Sequence, residues 1–525
     1  MTLADFEPQR PALHFTPPMG WMNDPNGLVF FEGEYHLFYQ YHPFSTVWGP
    51  MHWGHAVSRD LCHWQHLPIA LAPNEDGACF SGSAVVDEHD VTGLFDGQPG
   101  LLAFYTCHRV LSDDPEDYQQ SQCLAYSRDK GRTWQRYEGN PVLPPPGFKD
   151  FRDPKVVWHG PSQRWVMALA CGQEIHFYTS HNLLEWQFAS AFGEGEGAHT
   201  QHPWECPDLF ELPVDGAGPD EPATRWVLVV GIGATPDNPF GSFTQYFIGE
   251  FDGQRFTNDN AADVVLMMDE GRDFYAVQSW SNTPGRQLAL AWLNNWQYAN
   301  HAPETGWRGT MSLPRELTLR ATSRGVRLRQ RFAREAAQAL SAPRRLSPRS
   351  LQTAGEHCIA LPEGAAVYGQ LTLVLKAGTR LALSLQQGYQ QRLWLTAGES
   401  TASLHYERQG SNGQAAFDEH FACDHAAGSV DGLTVTVTWW CDHGTLEMLV
   451  DGATEQRSIT QVSFVDHRRQ PVTLEVVSGR VEVAEGGHPK RRRVAASTTL
   501  SASLPSCAGL RCRRGWAARH TRRGG

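Results

Sequence analysis

A short turn sequence recurs through the first half of the chain, and it limits the fold more than any other feature. Ser58-Arg59-Asp60 leads to Trp64, Ser127-Arg128-Asp129 to Trp134, and Ser180-His181-Asn182 to Trp186. Glu250-Phe251-Asp252-Gly253-Gln254-Arg255-Phe256 is a decayed further copy. Ser, Asp and Asn side chains bond nearby backbone N–H groups and so start turns. Each copy follows an apolar, strand-like run, such as Leu101-Leu102-Ala103-Phe104-Tyr105 or Val166-Met167-Ala168-Leu169-Ala170, and leads back into another short strand. Units of roughly 50 to 70 residues filled with short strands have the form of propeller blades. Taken alone, the repeat also fits a β-sandwich with similar turns. The 18 Trp, 25 Phe and 49 Gly favour strands and tight turns in either case.

A chain of 525 residues exceeds what one core usually organises, so two domains and a tail are expected. Val326-Arg327-Leu328-Arg329-Gln330-Arg331-Phe332 and the following residues to Leu340 read as a charged linker over 326–341. Beyond it, Leu371-Thr372-Leu373-Val374-Leu375, Leu381-Ala382-Leu383-Ser384-Leu385 and Leu433-Thr434-Val435-Thr436-Val437 alternate with the period of half-buried strands, which predicts a second β domain over 342–485. Residues 486–525 hold ten Lys or Arg and no acid, lack periodic apolar positions, and are expected to be a disordered tail.

Three segments carry the chemistry: Trp21-Met22-Asn23-Asp24-Pro25-Asn26-Gly27, Phe151-Arg152-Asp153-Pro154 and Trp204-Glu205-Cys206-Pro207-Asp208. Each sets an acid among turn-forming residues, where a loop could project it into a pocket. Breaking a glycosidic bond needs at least two carboxyls, one to protonate the departing oxygen and one to meet the cationic sugar. In this order and company the segments resemble glycoside hydrolase family 32, the levanases, exo-inulinases and invertases. Phe80-Ser81-Gly82-Ser83-Ala84-Val85, Asp273-Phe274-Tyr275-Ala276 and Ala291-Trp292-Leu293-Asn294-Asn295-Trp296-Gln297-Tyr298-Ala299 add to the likeness.

The resemblance implies an all-β architecture: a catalytic five-bladed β-propeller over 1–325, followed by a C-terminal β-sandwich. It implies a retaining exo-β-fructosidase acting on terminal β-D-fructofuranosyl residues of levan, inulin, fructooligosaccharides or sucrose. By position, Asp24 would be the nucleophile, Glu205 the acid/base and Asp153 the stabiliser of the oxocarbenium-like transition state. Arg152 would hold Asp153 ionised with a low pKa, whereas Glu205 beside Trp204 and Pro207 would be pushed up by desolvation. Asn23, Gln40, Trp48, Phe80, Ser81, Arg152 and Trp292 would contact the sugar. Asp208 would tune the acid, and Tyr275 would hydrogen-bond the nucleophile. Alternatives sharing the chemistry are an invertase preferring sucrose and a fructosyltransferase; an alternative without it is a fructan-binding protein.

Outside the tail the chain carries 34 basic against 57 acidic residues, which argues against nucleic acid or anionic membrane as a partner. No apolar run approaches a spanning length, and the start has neither a basic leader nor an apolar segment. Eleven scattered cysteines suit a reducing compartment, so a cytoplasmic location is expected, or a secreted one if a leader has been removed. The pairs His52/His55 and His63/His66 lack the spacing of a zinc site, and no metal or cofactor is expected.

Overall fold

The computed structural model describes residues 10–489 except 219–222, 237, 304–305, 339–342, 347–348, 353–354, 360–365, 385–390, 411–412 and 464–471. Five antiparallel blades follow one another in chain order, each led by its innermost strand: Gly20–Phe31, Ala78–Asp87, Phe151–His159, Trp204–Asp215 and Tyr275–Ser279. The recurring turns join the third and fourth strands of a blade. Asp60 Oδ1 accepts the N–H groups of Cys62 and His63 at 3.0 and 2.8 Å, Asp129 Oδ1 that of Thr133 at 2.8 Å, and Asn182 Oδ1 those of Leu184 and Glu185 at 3.1 and 2.9 Å. In blade four Asp252 does the same for Gln254 and Arg255, so the decayed copy keeps the device.

The ring closes between the first blade and the connection that joins the second and third strands of the fifth. Gly20 and Trp21 pair in parallel with Trp307 and Arg308, and Gly20 N–H donates to Gly306 O at 3.0 Å. Blades four and five are also joined, through parallel pairing of Val214 and Asp215 with Leu319 and Arg320.

The C-terminal part is a β-sandwich of a seven-stranded and a six-stranded sheet. Alternate residues Leu371, Leu373, Leu381, Leu383, Val435, Val437 and Trp439 fill its core. Two expectations change at its borders. Residues 326–332 are not linker: Gly325–Phe332 is the outer strand of blade five, paired in register with Arg315–Thr322. One of its arginines is explained by an acid across the interface, Arg329 meeting Asp451 at 2.6 Å. The sandwich strand Arg480–Pro489 runs past residue 486; residues 490–525, the rest of the expected tail, lie outside the described residues. Cys107 and Cys123, on adjacent strands of blade two, are disulfide-bonded, a pairing that the scattered spacing did not suggest.

Several charged groups buried between propeller and sandwich are paired. His14 reaches Asp442 and Glu447 at 2.9 Å each, and Arg315 reaches Glu447 at 2.5 Å and Asp269 at 3.4 Å. Burial alone would lower the His14 pKa, but hydrogen bonds to its two carboxylates dominate and raise it to about 9. A histidine raised on folding contributes stability that is full below its unfolded value near 6.5 and is lost as pH rises through about 9. Thermal melting should therefore fall between about pH 7 and pH 10, with a flatter slope in His14→Gln. Equal slopes in the two proteins would remove His14 from the account.

Candidate active site

The three acids lie on strands, not on loops. Every innermost strand breaks its ladder at the same level: between Met22 and Pro25, Cys79 and Gly82, Arg152 and Lys155, Glu205 and Asp208, and Tyr275 and Gln278. Such bulges bend a strand and re-aim its side chains, here toward the propeller axis. Asp153, Cys206 and Ala276 take positive φ of 64°, 50° and 51°. A non-glycine residue held there costs about 1–3 kcal/mol and persists only where its surroundings enforce it. Pro154 and Pro207 sit inside two of the breaks, where an absent N–H loses no ladder bond. Side chains satisfy the exposed backbone: Thr106 Oγ1 accepts the Asp153 N–H at 3.0 Å, and the Gln278 amide donates to the carbonyls of Cys206 and Pro207 at 3.3 and 3.0 Å.

Three acids from three blades converge on one residue. Cys206, peptide-bonded to Glu205, gives its N–H to Asp153 Oδ2 at 2.9 Å and its thiol to Asp24 Oδ2 at 3.4 Å. Ser81 Oγ also donates to Asp24 Oδ2, at 2.6 Å, while Asp24 Oδ1 receives the Asn23 amide at 3.1 Å. Asn23 is aligned in turn by the Trp21 indole N–H at 2.8 Å. Burial pushes the Asp24 carboxyl up to about 6 against the Ser81 hydrogen bond, and the Glu205 charge adds to the rise.

Arg152 is aimed differently from the expectation. Its Nη1 donates to Asp150 at 2.6 Å and its Nη2 to Glu205 Oε1 at 3.2 Å. Burial pushes Glu205 up, but the Arg152 charge, His202 and the Tyr275 hydroxyl outweigh it and hold the carboxyl below the ordinary range. Burial carries Asp153 to about 7 despite the Arg152 charge, with the Glu205 and Asp24 charges adding. The expected order of these two acids is therefore reversed, because the guanidinium engages Glu205 and leaves Asp153 to the backbone. The three carboxyls interact, so their titrations belong to the cluster.

Two supporting assignments also move. The Tyr275 hydroxyl donates to Glu205 Oε2 at 2.5 Å, not to Asp24. Gly231, opposite Glu205 in the ladder, makes room for it: a Cβ there would lie 3.1 Å from the Tyr275 hydroxyl oxygen. Asp208 is fully buried and points away from the acid, where it meets Lys155 Nζ at 3.0 Å and the Ser279 N–H at 2.5 Å. The break at Cys206–Pro207 sends residues 205 and 208 to different partners.

Among the expected sugar contacts, Trp48 is 45% exposed and meets the part-exposed Phe80 edge-on at 6.1 Å, with Phe80 stacked on His108 at 4.2 Å. Gln40 is buried and donates to Asn26 Oδ1 and Cys79 O at 2.8 and 3.0 Å. Trp292 is not an open platform: it is 0% exposed, packed on Trp21 and Trp296, and its indole N–H has no protein acceptor among the described residues. Sequence reasoning missed Asp150, Tyr118 and Cys206. Asp150 accepts both the Arg152 guanidinium and the Tyr118 hydroxyl, at 2.6 and 2.8 Å, and an acid two residues before a motif arginine was the available signal.

Residues 14–331 match the family model described as the glycosyl hydrolases family 32 N-terminal domain. The chain is 42% identical to a levanase of Bacillus subtilis over 485 residues, 91% of this chain and 69% of that protein. It is 34% identical to an extracellular exo-inulinase of Aspergillus niger, covering 91% of this chain and 93% of the other. The crystal structure of an exo-inulinase from Aspergillus awamori superposes with a TM-score of 0.80 at 32% identity, over 92% of this chain and 98% of that one.

Proposed function

This chain belongs to glycosyl hydrolases family 32 and is an exo-β-fructosidase; from that premise we propose that it releases fructose from the ends of levan- or inulin-type chains, with retention, through Asp24 and Glu205. The observation that supports the reading is the convergence on Cys206, at which Asp24, Asp153 and Glu205 from three blades come together. Asp24 Oδ2 is engaged by Ser81 and the thiol, so Oδ1 is the oxygen better placed to attack the anomeric carbon. As that bond forms, the glycosidic bond breaks and Glu205 passes its proton to the departing oxygen. Water then gives a proton to Glu205 and its oxygen to the anomeric carbon, releasing Asp24 and fructose.

The proton must reach Glu205 although the protein alone favours it elsewhere. Sugar hydroxyls donating to Asp153 stabilise that carboxylate, and the negative charge gathered on Asp153 and Asp24 then favours a protonated Glu205. Trp48 and Phe80 offer apolar faces to a sugar, whereas the buried Trp292 backs Trp21, whose indole aligns Asn23.

Asp24 must be ionised to attack, so kcat/KM should fall as pH drops through about 6. The Ser81 hydroxyl opposes that rise; Ser81→Ala should move the acid limb to higher pH. An unmoved limb would mean that it reports another group.

Free fructose measured from levan, inulin and sucrose at matched fructosyl concentration, with Asp24→Ala as blank, tests the assignment. Faster release from a polymer is expected. Release from sucrose alone would make the protein an invertase, growth of oligosaccharides a transferase, and binding without release a fructan-binding protein. Polymer as substrate, and the extracellular naming of the A. niger relative, favour action outside the cytoplasm over the cytoplasmic location expected from the sequence.

A further inference from the structure

The segment that leads into the inner strand of blade five is held by the sandwich. Residues 269–273 run along the sandwich edge strand Gln456–Val462. Glu270 N–H donates to Ser458 O at 2.7 Å and Asp273 N–H to Thr460 O at 3.2 Å. In return, Thr460 N–H donates to Asp269 Oδ1 and Val462 N–H to Asp273 Oδ2, both at 2.8 Å. Backbone and side-chain bonds together tie the segment to the sandwich edge.

Its last residue is fixed by a buried cation. Arg408, 0% exposed, donates from Nη1 to Asp273 Oδ2 at 2.6 Å and from Nη2 to the Tyr298 hydroxyl at 3.0 Å, while that hydroxyl donates to Asp273 Oδ1. Arg408 is itself held by Nε donation to Phe421 O at 2.8 Å and by the Phe421 ring 4.0 Å below its guanidinium. Between Asp273 and Tyr275 there is no slack. The Phe274 carbonyl accepts the Thr244 hydroxyl at 3.0 Å, and the Arg315 guanidinium covers its ring at 4.3 Å. Two residues beyond Asp273, the Tyr275 hydroxyl meets Glu205 at 2.5 Å.

We infer that Arg408 and Asp273 are positioning residues for hydrolysis: through them the sandwich fixes where the Tyr275 hydroxyl meets Glu205. The inference rests on Glu205 being the acid/base. Its physical basis is that a hydrogen bond at a reacting carboxyl is set to tenths of an ångström, and misplacement by about 1 Å can cost about 100-fold. A buried ion pair two residues before Tyr275 transmits any repacking of the sandwich directly into that bond.

The test is a double-mutant cycle on sucrose hydrolysis, with folding checked by circular dichroism and a cooperative melt. Tyr275→Phe should lower kcat by about 10- to 100-fold. It should also move the alkaline limb of kcat/KM to higher pH, because the hydroxyl favours ionised Glu205. Arg408→Lys keeps a charge for Asp273 but cannot hold the same geometry. It should lower kcat with KM within about twofold, move the limb in the same direction, and add little in the Tyr275→Phe background. Asp273→Asn, nearly isosteric, must obey the same rule and replaces Arg408→Lys if that variant does not fold. Equal factors in the wild-type and Tyr275→Phe backgrounds, or an unmoved limb, would overturn the inference and leave the assignment of Glu205 standing. If Tyr275→Phe itself behaves as wild type, the inference is overturned, and the role read for Glu205 is decided separately by Glu205→Gln.

Discussion

Asp24→Ala is expected to abolish fructose release from levan, inulin and sucrose alike, lowering kcat by on the order of 10⁴-fold or more, equivalent to about 5.5 kcal/mol of barrier. No neighbour can substitute, since Asp153 is held by the Cys206 N–H and Glu205 is shared between Arg152 and Tyr275. Removing one of three crowded carboxyls also relieves mutual repulsion, so the melting temperature should hold or rise. The strain recorded at Asp153 and Cys206 points the same way, because the bulges are held for the sake of side-chain direction. Turnover within about tenfold of wild type would remove Asp24 from the nucleophile's role.

Glu205→Gln should cost about 10²- to 10⁴-fold on sucrose or fructan, where the departing oxygen needs a proton. With β-fructofuranosyl fluoride, whose leaving group needs little help, the first step should survive. Rapid mixing should show a fluoride burst close to one per enzyme, followed by slow turnover, because the variant also lacks the base that activates water. The alkaline limb of the pH profile should vanish at the same time. If the burst is lost in the same proportion as sucrose turnover, Glu205 is not the proton donor.

The sequence made some of this legible for physical reasons. Asx turns depend on a few local side chains, so Ser58–Asp60 and its copies mark blade corners in the linear string as clearly as in the folded ring. The acids of the three motifs were identifiable because residue type and order are local properties. What stayed hidden depended on direction. A bulge shifts the side-chain alternation without changing composition, so Glu205 and Asp208 looked like partners and are not. The guanidinium of Arg152 could reach Asp153 or Glu205, and only the position of Asp150 decides between them. Trp292 matched by motif, but its burial depends on Trp21 and Trp296 arriving from elsewhere in the chain. The charged run Val326 to Phe332 looked like linker because the acid that Arg329 meets comes from the sandwich.

The seam at Gly20-Trp21 and Trp307-Arg308 gives the order of synthesis a meaning. Chains leave the ribosome N-terminus first, and domains generally fold as units as they emerge. The strand bearing Asp24 is therefore made early and gains its second neighbour late, since the closing pair Trp307–Arg308 belongs to the connection within blade five. A nascent or truncated chain that stops before that pair can form its early blades and still present no enclosed nucleophile. Completion of the ring therefore depends on residues more than 280 positions beyond Asp24.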